Sequence, residues 1–325
     1  MKQIRISDVT MKQAAEGFSL SFKEKIELAK QLDKLGVSVI ELEGIQNARV
    51  DSLRIKSVAA AVRNSIVAFP VALNAESVQQ TWNALKEAKK ARLQVCAPVS
   101  PVQMEYLHHK KPDAMTAAIA ETVAACKALC ADVEFVADDA TRSEADFLYK
   151  AIDTAISAGA SVVTISDTAG TMLADEISTF IDDIYSAVPS VADVTVGIQC
   201  SNEVSMACAC CISAIKSGVK EIKVSSISGN ESASLEAVCK AVRIHSDELG
   251  VETSIRMTEF GRISKQIDWI ANSKRSKTSA FDFGVSSASS DLILNDHDDI
   301  TAVAKAVKTL GYDLSQDDIS KVYEA

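Results

Sequence analysis

Short apolar segments rich in β-branched residues recur along the first 230 residues, and they predict eight strands. Each segment is almost continuously apolar at its start, as is typical of parallel strands that are covered on both faces. The eight segments are 4–10, 38–44, 66–73, 93–99, 133–139, 162–169, 194–200 and 222–227. The stretches between them have the apolar periodicity of helices.

The alternation of strands and helices predicts the architecture. Ser21 and Glu24 form a capping box ahead of the first helix, and Gly36 closes that helix. Eight strand–helix units at a spacing of roughly thirty residues predict an α/β fold, a (β/α)8 TIM barrel with a short helical C-terminal extension. A doubly wound open sheet is the alternative. The first strand is not followed by the G-x-G-x-x-G fingerprint of its dinucleotide-binding members.

The pattern changes after residue 255. A helical segment, a Ser-rich irregular segment and two short helical segments follow. The sequence therefore predicts a barrel over 1–255 and a small helical subdomain over 256–325, without a regulatory domain. The subdomain has too few apolar positions for a core of its own, so we expect it to pack on the barrel or on a partner subunit.

Composition and charge narrow the partners. The net charge is −10 and the pI is about 5.0, which argues against nucleic acid or an anionic membrane as the main partner. No signal segment and no membrane-length apolar run is found, so we expect a cytoplasmic protein. The eight cysteines are expected to be reduced, and Cys208, Cys210 and Cys211 fit an Ala-rich helix better than a zinc site.

Polar residues that follow the predicted strands are the candidate site, because active sites of this fold lie at the C-terminal ends of the strands. The candidates are Asp8, Thr10, Lys12, Gln13, Glu41, Glu43, Gln103, Asp138, Asp139, Arg142, Asp167, Thr168, Gln199, Ser201 and Asn202. Several also have a purely structural interpretation. Asp8 and Thr10 suit a turn, Asp139 and Arg142 a local salt bridge, and Asp167 a helix cap. So many carboxylates at one mouth would repel each other unless a cation or raised pKa values relieve them.

Four segments carry a resemblance to a known family. They are SDVTMKQAAEGFSLSFKEKIELAKQLDKLGVSVIELE, VEFVADDATRSEADFL, AGASVVTISDTAGTMLADE and SASLEAV. Together they resemble the family of 2-isopropylmalate synthase, homocitrate synthase and HMG-CoA lyase, with the synthases most similar. The resemblance implies a divalent metal that binds a 2-oxo acid, acyl-CoA as co-substrate, and a homodimer.

The family's functional residues are only partly present. Its metal-binding Asp falls on Gln13, the neighbouring Arg on Lys12, its two metal-binding His on Gln199 and Ser201, and the His after strand four on Gln103. The positions that match are Asp8, Thr10, Glu41, Asp139, Arg142, Asp167, Thr168, Gly170 and Asn202, and Asp138 replaces a Glu. Gln and Ser are poor ligands for transition metals and are not general bases at neutral pH. The substitutions thus fall on metal and proton-transfer positions.

Two hypotheses follow. In the first, the protein is a pseudoenzyme that binds a 2-oxo acid or related small carboxylate, with or without acyl-CoA, and forms a homodimer or pairs with an active paralogue. In the second, it is an active acyl-CoA:2-oxo acid transferase or lyase with an atypical site. Ordinary synthase activity with shifted ligands is disfavoured, because the chain has no H-x-H segment.

The second hypothesis assigns specific roles. Lys12 would stabilise an oxyanion, or form a Schiff base if its pKa were lowered, and Glu43, Asp138 and Glu203 would hold Mg²⁺ or Mn²⁺. The candidate catalytic residues are Lys12, Glu41, Asp138, Arg142 and Thr168. The remaining candidates are assigned to substrate binding.

Overall fold

The computed structural model describes residues 1–12, 20–45, 48–227 and 231–272. The chain divides into two compact units, Met1–Ser273 and Lys274–Ala325, and the second unit lies outside the described residues. The first unit contains all the elements below.

Eight parallel strands form a closed barrel, as the sequence predicts. β1 pairs with β2 on one side and with β8 on the other, which closes the sheet. The strands are Lys2–Asp8 (β1), Val39–Glu41 (β2), Ile66–Val71 (β3), Ala91–Pro98 (β4), Val133–Asp138 (β5), Val162–Asp167 (β6), Thr195–Cys200 (β7) and Glu221–Val224 (β8). A short ninth strand, Val251–Thr253 (β9), adds to the start of β1.

Helices surround the barrel. They are Phe22–Leu35 (α1), Ala48–Ala61 (α2), Ala75–Leu85 (α3), Pro101–Tyr106 (α4), Pro112–Leu129 (α5), Ala145–Ser157 (α6), Ala174–Ala187 (α7), Ala207–Lys216 (α8), Leu235–Ile244 (α9), Ser246–Leu249 (α10) and Met257–Asn272 (α11). The predicted capping box of Ser21 and Glu24 is present, and Gly36 ends α1 in the left-handed conformation. Within the described ranges, no helix has the length and apolarity needed to cross a membrane.

The hydrophobic core lies between the outer faces of the strands and the helices. It is mainly aliphatic, with fully buried residues such as Ile6, Leu28 and Ile152 on strands and helices alike. Helix α11 packs against α1 within the first unit. The domain boundary after residue 255 stays a prediction, since the second unit is not described.

The barrel interior, in contrast, is polar. Arg92 on β4 and Glu221 on β8 contact each other although their strands are not neighbours in the sheet, so both side chains cross the barrel axis. Gln94 and Lys223, two residues further along the same strands, are also fully buried. Strand side chains alternate between two faces, so this spacing puts all four residues on the inner face.

Ion pairs run through the interior from one end of the barrel to the other. We call this series the interior ion-pair chain. Arg92 Nη1 lies 2.6 Å from Glu221 Oε1 and 3.4 Å from Glu134 Oε2. Lys223 Nζ lies 2.7 Å from Glu134 Oε1 and 2.6 Å from Glu41 Oε1. All five side chains of this series are completely buried, so each charge depends on its neighbours for compensation.

A glycine on β7 makes room for part of this chain. Thr164 Oγ1 on β6 donates a hydrogen bond of 2.7 Å to Glu134 Oε1. A Cβ atom at Gly197 would lie 2.6 Å from that hydroxyl oxygen. Any larger residue at 197 would therefore displace Thr164 and weaken the support of the Glu134 carboxylate.

Replacing Lys223 tests how much the barrel depends on these ion pairs. Lys223→Met keeps most of the length of the side chain but leaves Glu41 and Glu134 without their shared cation. Breaking a buried ion pair in this way costs about 3–5 kcal/mol, so we expect a loss of that size in the free energy of unfolding. Urea denaturation followed by circular dichroism measures it.

The matched control is Lys240→Met on the surface of α9. Lys240 also contacts a carboxylate, Glu236, but both side chains are about half exposed. Exposed pairs contribute about 0–1 kcal/mol, so this variant should unfold almost like the parent protein. Equal effects of the two substitutions would contradict a stabilising role of the interior ion-pair chain.

Another buried carboxyl, that of Asp8, ends β1. Asp8 is fully buried; its Oδ1 accepts a hydrogen bond of 3.1 Å from the backbone N–H of Thr10, while its Oδ2 has no partner. Burial raises the pKa of Asp8 to about 6, against the opposing effect of its hydrogen bonds. The folded protein therefore holds the Asp8 proton at pH values where an unfolded chain has released it.

This raised pKa makes stability depend on pH. An aspartate in the unfolded chain has a pKa of about 3.9. Asp8 therefore destabilises the fold progressively as pH rises from about 4 to about 6. Asp8→Asn removes this cost. The difference in unfolding free energy between Asp8→Asn and the parent should therefore grow by about 2–3 kcal/mol in favour of the variant between pH 4 and pH 7. Urea denaturation at a series of pH values measures the difference.

Asp113→Asn serves as the control for this titration, because the Asp113 side chain is 96% exposed. The difference in unfolding free energy between Asp113→Asn and the parent protein should stay within about 0.5 kcal/mol over the same pH range. A pH-independent difference for Asp8→Asn would show that its carboxyl is not held protonated.

Candidate functional site

Lys12 marks the floor of the barrel mouth. The turn after β1 holds it in place, with the Lys12 backbone N–H donating to Val9 O at 2.9 Å. Its Nζ donates to Glu41 Oε2 at 2.9 Å and to Gln94 Oε1 at 3.3 Å, and it lies 3.9 Å from Cys96 Sγ. Lys12 thus continues the interior ion-pair chain to the mouth, where 21% of its side chain stays exposed.

Lys12 and Glu41 both keep their charges in the folded protein. Burial acts to lower the pKa of Lys12, but the carboxylates of Glu41 and Glu134 outweigh it and raise that pKa. Burial likewise acts to raise the pKa of Glu41, but Lys12 and Lys223 outweigh it and lower that pKa. A Schiff base needs a neutral amine, so the lowered pKa that this role requires of Lys12 is not found. Lys12 is instead a permanent cation.

Asp138 provides an acid at the same mouth. It ends β5 and is half-buried. Burial raises the pKa of Asp138, and the neighbouring charge of Asp139 adds to this, while Lys12 and Lys223 act in the opposite direction. A carboxyl of this kind donates or accepts a proton more readily near neutral pH than an ordinary aspartate does.

The sequence analysis missed the residues that support Lys12 and Glu41. They are Gln94, Cys96, Glu134 and Lys223. A signal was present: in β4 and β8 a polar residue or cysteine occupies every second position, as at 92, 94 and 96 and at 221 and 223. That period places these side chains on one face of a strand. The predicted candidates lie at or after the strand ends, whereas these four residues lie further inside the barrel.

Asp139 and Arg142 form a local salt bridge, as the structural interpretation predicts. Arg142 donates from Nε and Nη2 to the two carboxylate oxygens of Asp139, at 2.7 and 2.8 Å. Asp139, which has a positive φ of 59°, also accepts from Ser100 Oγ at 2.5 Å, and its backbone N–H donates to Thr168 Oγ1 at 3.0 Å. These hydrogen bonds fix the loop after β5, and the salt bridge with Asp139 compensates the charge of Arg142.

Two other predicted aspartates also hold turns. Asp8 forms the turn described above, and the Thr10 hydroxyl lies 2.9 Å from Ser226 Oγ, which joins the loops after β1 and β8. Asp167 Oδ1 accepts hydrogen bonds from Thr141 Oγ1 at 2.8 Å and from the backbone N–H of Gly170 at 3.2 Å. These side chains shape the mouth.

The remaining candidates lie at the rim. Asn202 Oδ1 accepts from the backbone N–H of Ala207 at 3.2 Å and so supports the start of α8. Gln103 lies in α4, Gln199 ends up half-buried on β7, and Ser201 forms a bridge with Ser232. Gln13 lies outside the described residues.

Glu43 faces the helices around the barrel. Its Oε1 lies 2.5 Å from Lys25 Nζ on α1 and also contacts Arg54 of α2. Two cations therefore already compensate this carboxylate. The predicted grouping of Glu43, Asp138 and Glu203 around Mg²⁺ or Mn²⁺ does not form, because the described part of the chain has no cluster of three or more His, Cys, Asp or Glu side chains arranged to hold a metal.

The donor set does not fit the family's divalent metal either. Gln199 and Ser201 offer neutral oxygens where histidine nitrogens are expected, and Lys12 adds an ammonium at the same end of the barrel. An ammonium repels a divalent cation and offers it no lone pair. The chemistry available to the described residues is therefore that of a fixed ammonium, a buried carboxylate, a carboxyl of raised pKa and a thiol.

A cavity of about 500 Å³ lies at the same end of the barrel, beside β4 and β5. Its apolar wall includes Val99, Met104 and Phe147, and its charged lining residues are Lys110, Lys111, Glu105 and Glu144. This combination suits a ligand with an apolar body and polar groups.

Comparisons with known proteins agree with this architecture. A family model described as HMGL-like matches residues 3–267. The chain is 27% identical to a 2-isopropylmalate synthase of Pelotomaculum thermopropionicum over 99% of its own length and 70% of the relative. It is 30% identical to the 2-isopropylmalate synthase of Aquifex aeolicus and 32% identical to that of Caulobacter vibrioides, over 81% and 82% of the chain. It spans about half the length of these two relatives, 52% in each case.

Solved structures give the same fold. The HMG-CoA lyase of Brucella melitensis superposes with a TM-score of 0.67 at 14% identity, covering 85% of this chain and all of that one. An HMG-CoA lyase described as from Acenitobacter baumannii, in complex with coenzyme A and 3-methylmalate, has a TM-score of 0.66 at 13% identity, covering 86% and 96%. With the family model matching most of the chain, the protein belongs to the HMGL-like family of TIM barrels.

Proposed function

We propose that the barrel mouth binds a small carboxylate of the 2-oxo acid class through the ammonium of Lys12, without the family's divalent metal. The observation that supports this most directly is the position of Lys12 Nζ, at the partly exposed end of a fully buried series of ion pairs. An ammonium fixed at a mouth attracts anions from solution.

The contacts of Lys12 leave one donor for a ligand. The ammonium has three N–H groups. Two are directed to Glu41 and Gln94, and the third faces Cys96 at 3.9 Å. A thiol is a weak acceptor, so a ligand carboxylate replaces it readily. Lys223, which lies 2.6 Å from Glu41, shares the compensation of that carboxylate and leaves more of the positive charge of Lys12 for the ligand.

Asp138 gives the second interaction. Because its pKa is raised, the protonated form of the Asp138 carboxyl is more available than in an ordinary aspartate, and that form donates a hydrogen bond to a ligand oxygen. A 2-oxo acid offers a carboxylate for Lys12 and a carbonyl oxygen for such a donor. Lys12 and Asp138 together thus favour ligands with two adjacent oxygen groups.

A second candidate function is C–C bond formation or cleavage with an acyl-CoA co-substrate. The cavity beside β4 favours it, since its apolar wall and the two ammonium groups of Lys110 and Lys111 match the apolar arm and phosphates of such a thioester. In this role Lys12 stabilises the developing oxyanion, and Asp138 transfers the proton.

Calorimetric titration with pyruvate, 2-oxoisovalerate and oxalate tests the binding proposal. Lys12→Met should weaken the best ligand about 10- to 100-fold, because a hydrogen bond from a charged group contributes about 1.5–3 kcal/mol. Lys12→Arg keeps the charge and should recover part of the affinity. Lys240→Met on the surface should bind like the parent.

Titrations in which no 2-oxo acid binds the parent protein, or in which Lys12→Met binds it as tightly, would overturn the proposal. Incubation with acetyl-CoA and the same acids, with and without Mg²⁺, Mn²⁺ or Zn²⁺, tests the second candidate. A condensation product detected by mass spectrometry supports the transferase, and product that requires a metal contradicts the metal-independent site.

A further inference from the structure

We propose that the cavity beside β4 and β5 binds a small aromatic zwitterion of the aromatic α-amino acid class. The aromatic ring packs on the apolar wall, the ligand carboxylate meets the ammonium groups of Lys110 and Lys111, and the ligand ammonium meets the carboxylate of Glu105. Among the described residues, those that line the cavity do not include Lys12 or Glu41. The inference therefore concerns a second site and does not depend on the function proposed for the mouth.

The cavity has the size of a small-molecule site and a wall that is already assembled. Its volume of about 500 Å³ lies within the range of about 300–1,000 Å³ that is typical of such sites. Val99 follows β4, Met104 lies on α4 and Phe147 lies on α6, so three separate elements form the wall. Val99 and Met104 are buried, and Phe147 packs against the same hydrophobic core. The core therefore holds the wall in place without a ligand.

The side chains of the wall favour an aromatic ring over a branched aliphatic chain. The thioether of Met104 makes favourable contacts with the edge of an aromatic ring. A phenyl ring such as that of Phe147 pairs favourably with a second ring in an offset-stacked or edge-to-face arrangement. Pro101 and Pro112, which also line the cavity, add rigid rings without an N–H donor. A flat apolar ring thus gains more from this wall than the burial of its area alone.

Charges of both signs line the cavity. They belong to Lys110, Lys111, Glu105 and Glu144. Within the part of the chain that the structure describes, none of these four side chains forms an ion pair. A ligand with a single charge would compensate one sign and leave the other sign facing its apolar body. A zwitterion compensates both, through charge-assisted hydrogen bonds at each end.

The segment before α5 forms the carboxylate end of the site. Lys111 is the N-cap residue of this 18-residue helix and makes no side-chain cap hydrogen bond, so the positive end of the helix dipole adds to the two ammonium charges. The Lys110 backbone N–H donates to Met104 O at 3.0 Å, which ties this segment to α4. The same helix carries Glu105. The backbones that carry the two charged ends therefore keep a fixed separation, which suits a ligand with two charges at a fixed distance.

Four ligands separate the contributions of the ring and of the two charges. Phenylalanine has all three groups. Phenylalaninamide lacks the carboxylate, 3-phenylpropionate lacks the ammonium, and leucine has a branched aliphatic side chain in place of the ring. In calorimetric titrations of the full chain, the affinity for phenylalanine should exceed that for each of the others by about tenfold or more. Each of the others has lost either a charge-assisted hydrogen bond or the contacts of the ring.

Two variants test the assignment of the charges. Lys110→Met/Lys111→Met should lower the affinity for phenylalanine about 10- to 100-fold and leave that for phenylalaninamide nearly unchanged. Glu105→Gln should lower the affinity for phenylalanine about tenfold and leave that for 3-phenylpropionate nearly unchanged. A general loss of folding would weaken both ligands of a pair alike. The matched controls are Lys240→Met on α9 and Glu121→Gln on the exposed side of α5, and both should bind phenylalanine like the parent protein.

Three results would overturn the inference. The first is that neither phenylalanine nor tryptophan binds the parent protein, or that leucine binds as tightly. The second is that the lysine double variant weakens acetyl-CoA while phenylalanine does not bind, which would assign the cavity to a thioester. The third is that Lys12→Met abolishes binding of phenylalanine, which would place this ligand at the mouth. Binding of phenylalanine that survives Lys12→Met supports the inference, whether or not a 2-oxo acid binds at Lys12.

Discussion

The carboxylate of Glu41 is the interaction on which the rest of the site depends. It is completely buried, and two ammonium groups compensate it, Lys223 from inside the barrel at 2.6 Å and Lys12 from the mouth at 2.9 Å. A lone buried carboxylate would take up a proton or unfold the barrel. With two cations its pKa is lowered and its charge is permanent. Because Glu41 is fixed, the position of Lys12 is fixed with it.

In the proposed function, this arrangement gives the mouth a positive charge from the described residues, which contain no cluster of side chains arranged for a metal. A divalent ion in such a site must be recruited from solution, whereas an ammonium is part of the chain and needs only a counterion to hold it. Glu41, the counterion of Lys12, also pairs with Lys223, so it neutralises only part of the charge of Lys12. In the proposed function, the mouth keeps a cation of lower charge, suited to binding an anion and to stabilising an oxyanion weakly.

The sequence predicts the barrel well and the site only in part. The strands were found because parallel strands covered on both faces have continuous apolar segments, and the turn at Asp8 and the salt bridge of Asp139 with Arg142 were found because their partners are close in sequence. The interior ion-pair chain was not found, because three of its four pairs join residues more than 80 positions apart, such as Glu41 with Lys223 and Arg92 with Glu221. Polar residues at alternate positions indicate an inner face but do not specify which residues meet across the axis.

The interior ion-pair chain also has a consequence for how the barrel assembles. Its members are divided between the two halves of the chain: Glu41 and Arg92 belong to β1–β4, and Glu134, Glu221 and Lys223 belong to β5–β8. A half-barrel folded alone would enclose charges whose partners are still in solution, at a cost of several kcal/mol for each ion. Partly closed intermediates are thereby disfavoured, and docking of the two halves becomes the cooperative step of folding. A polar interior thus makes closure of this ring close to all-or-none.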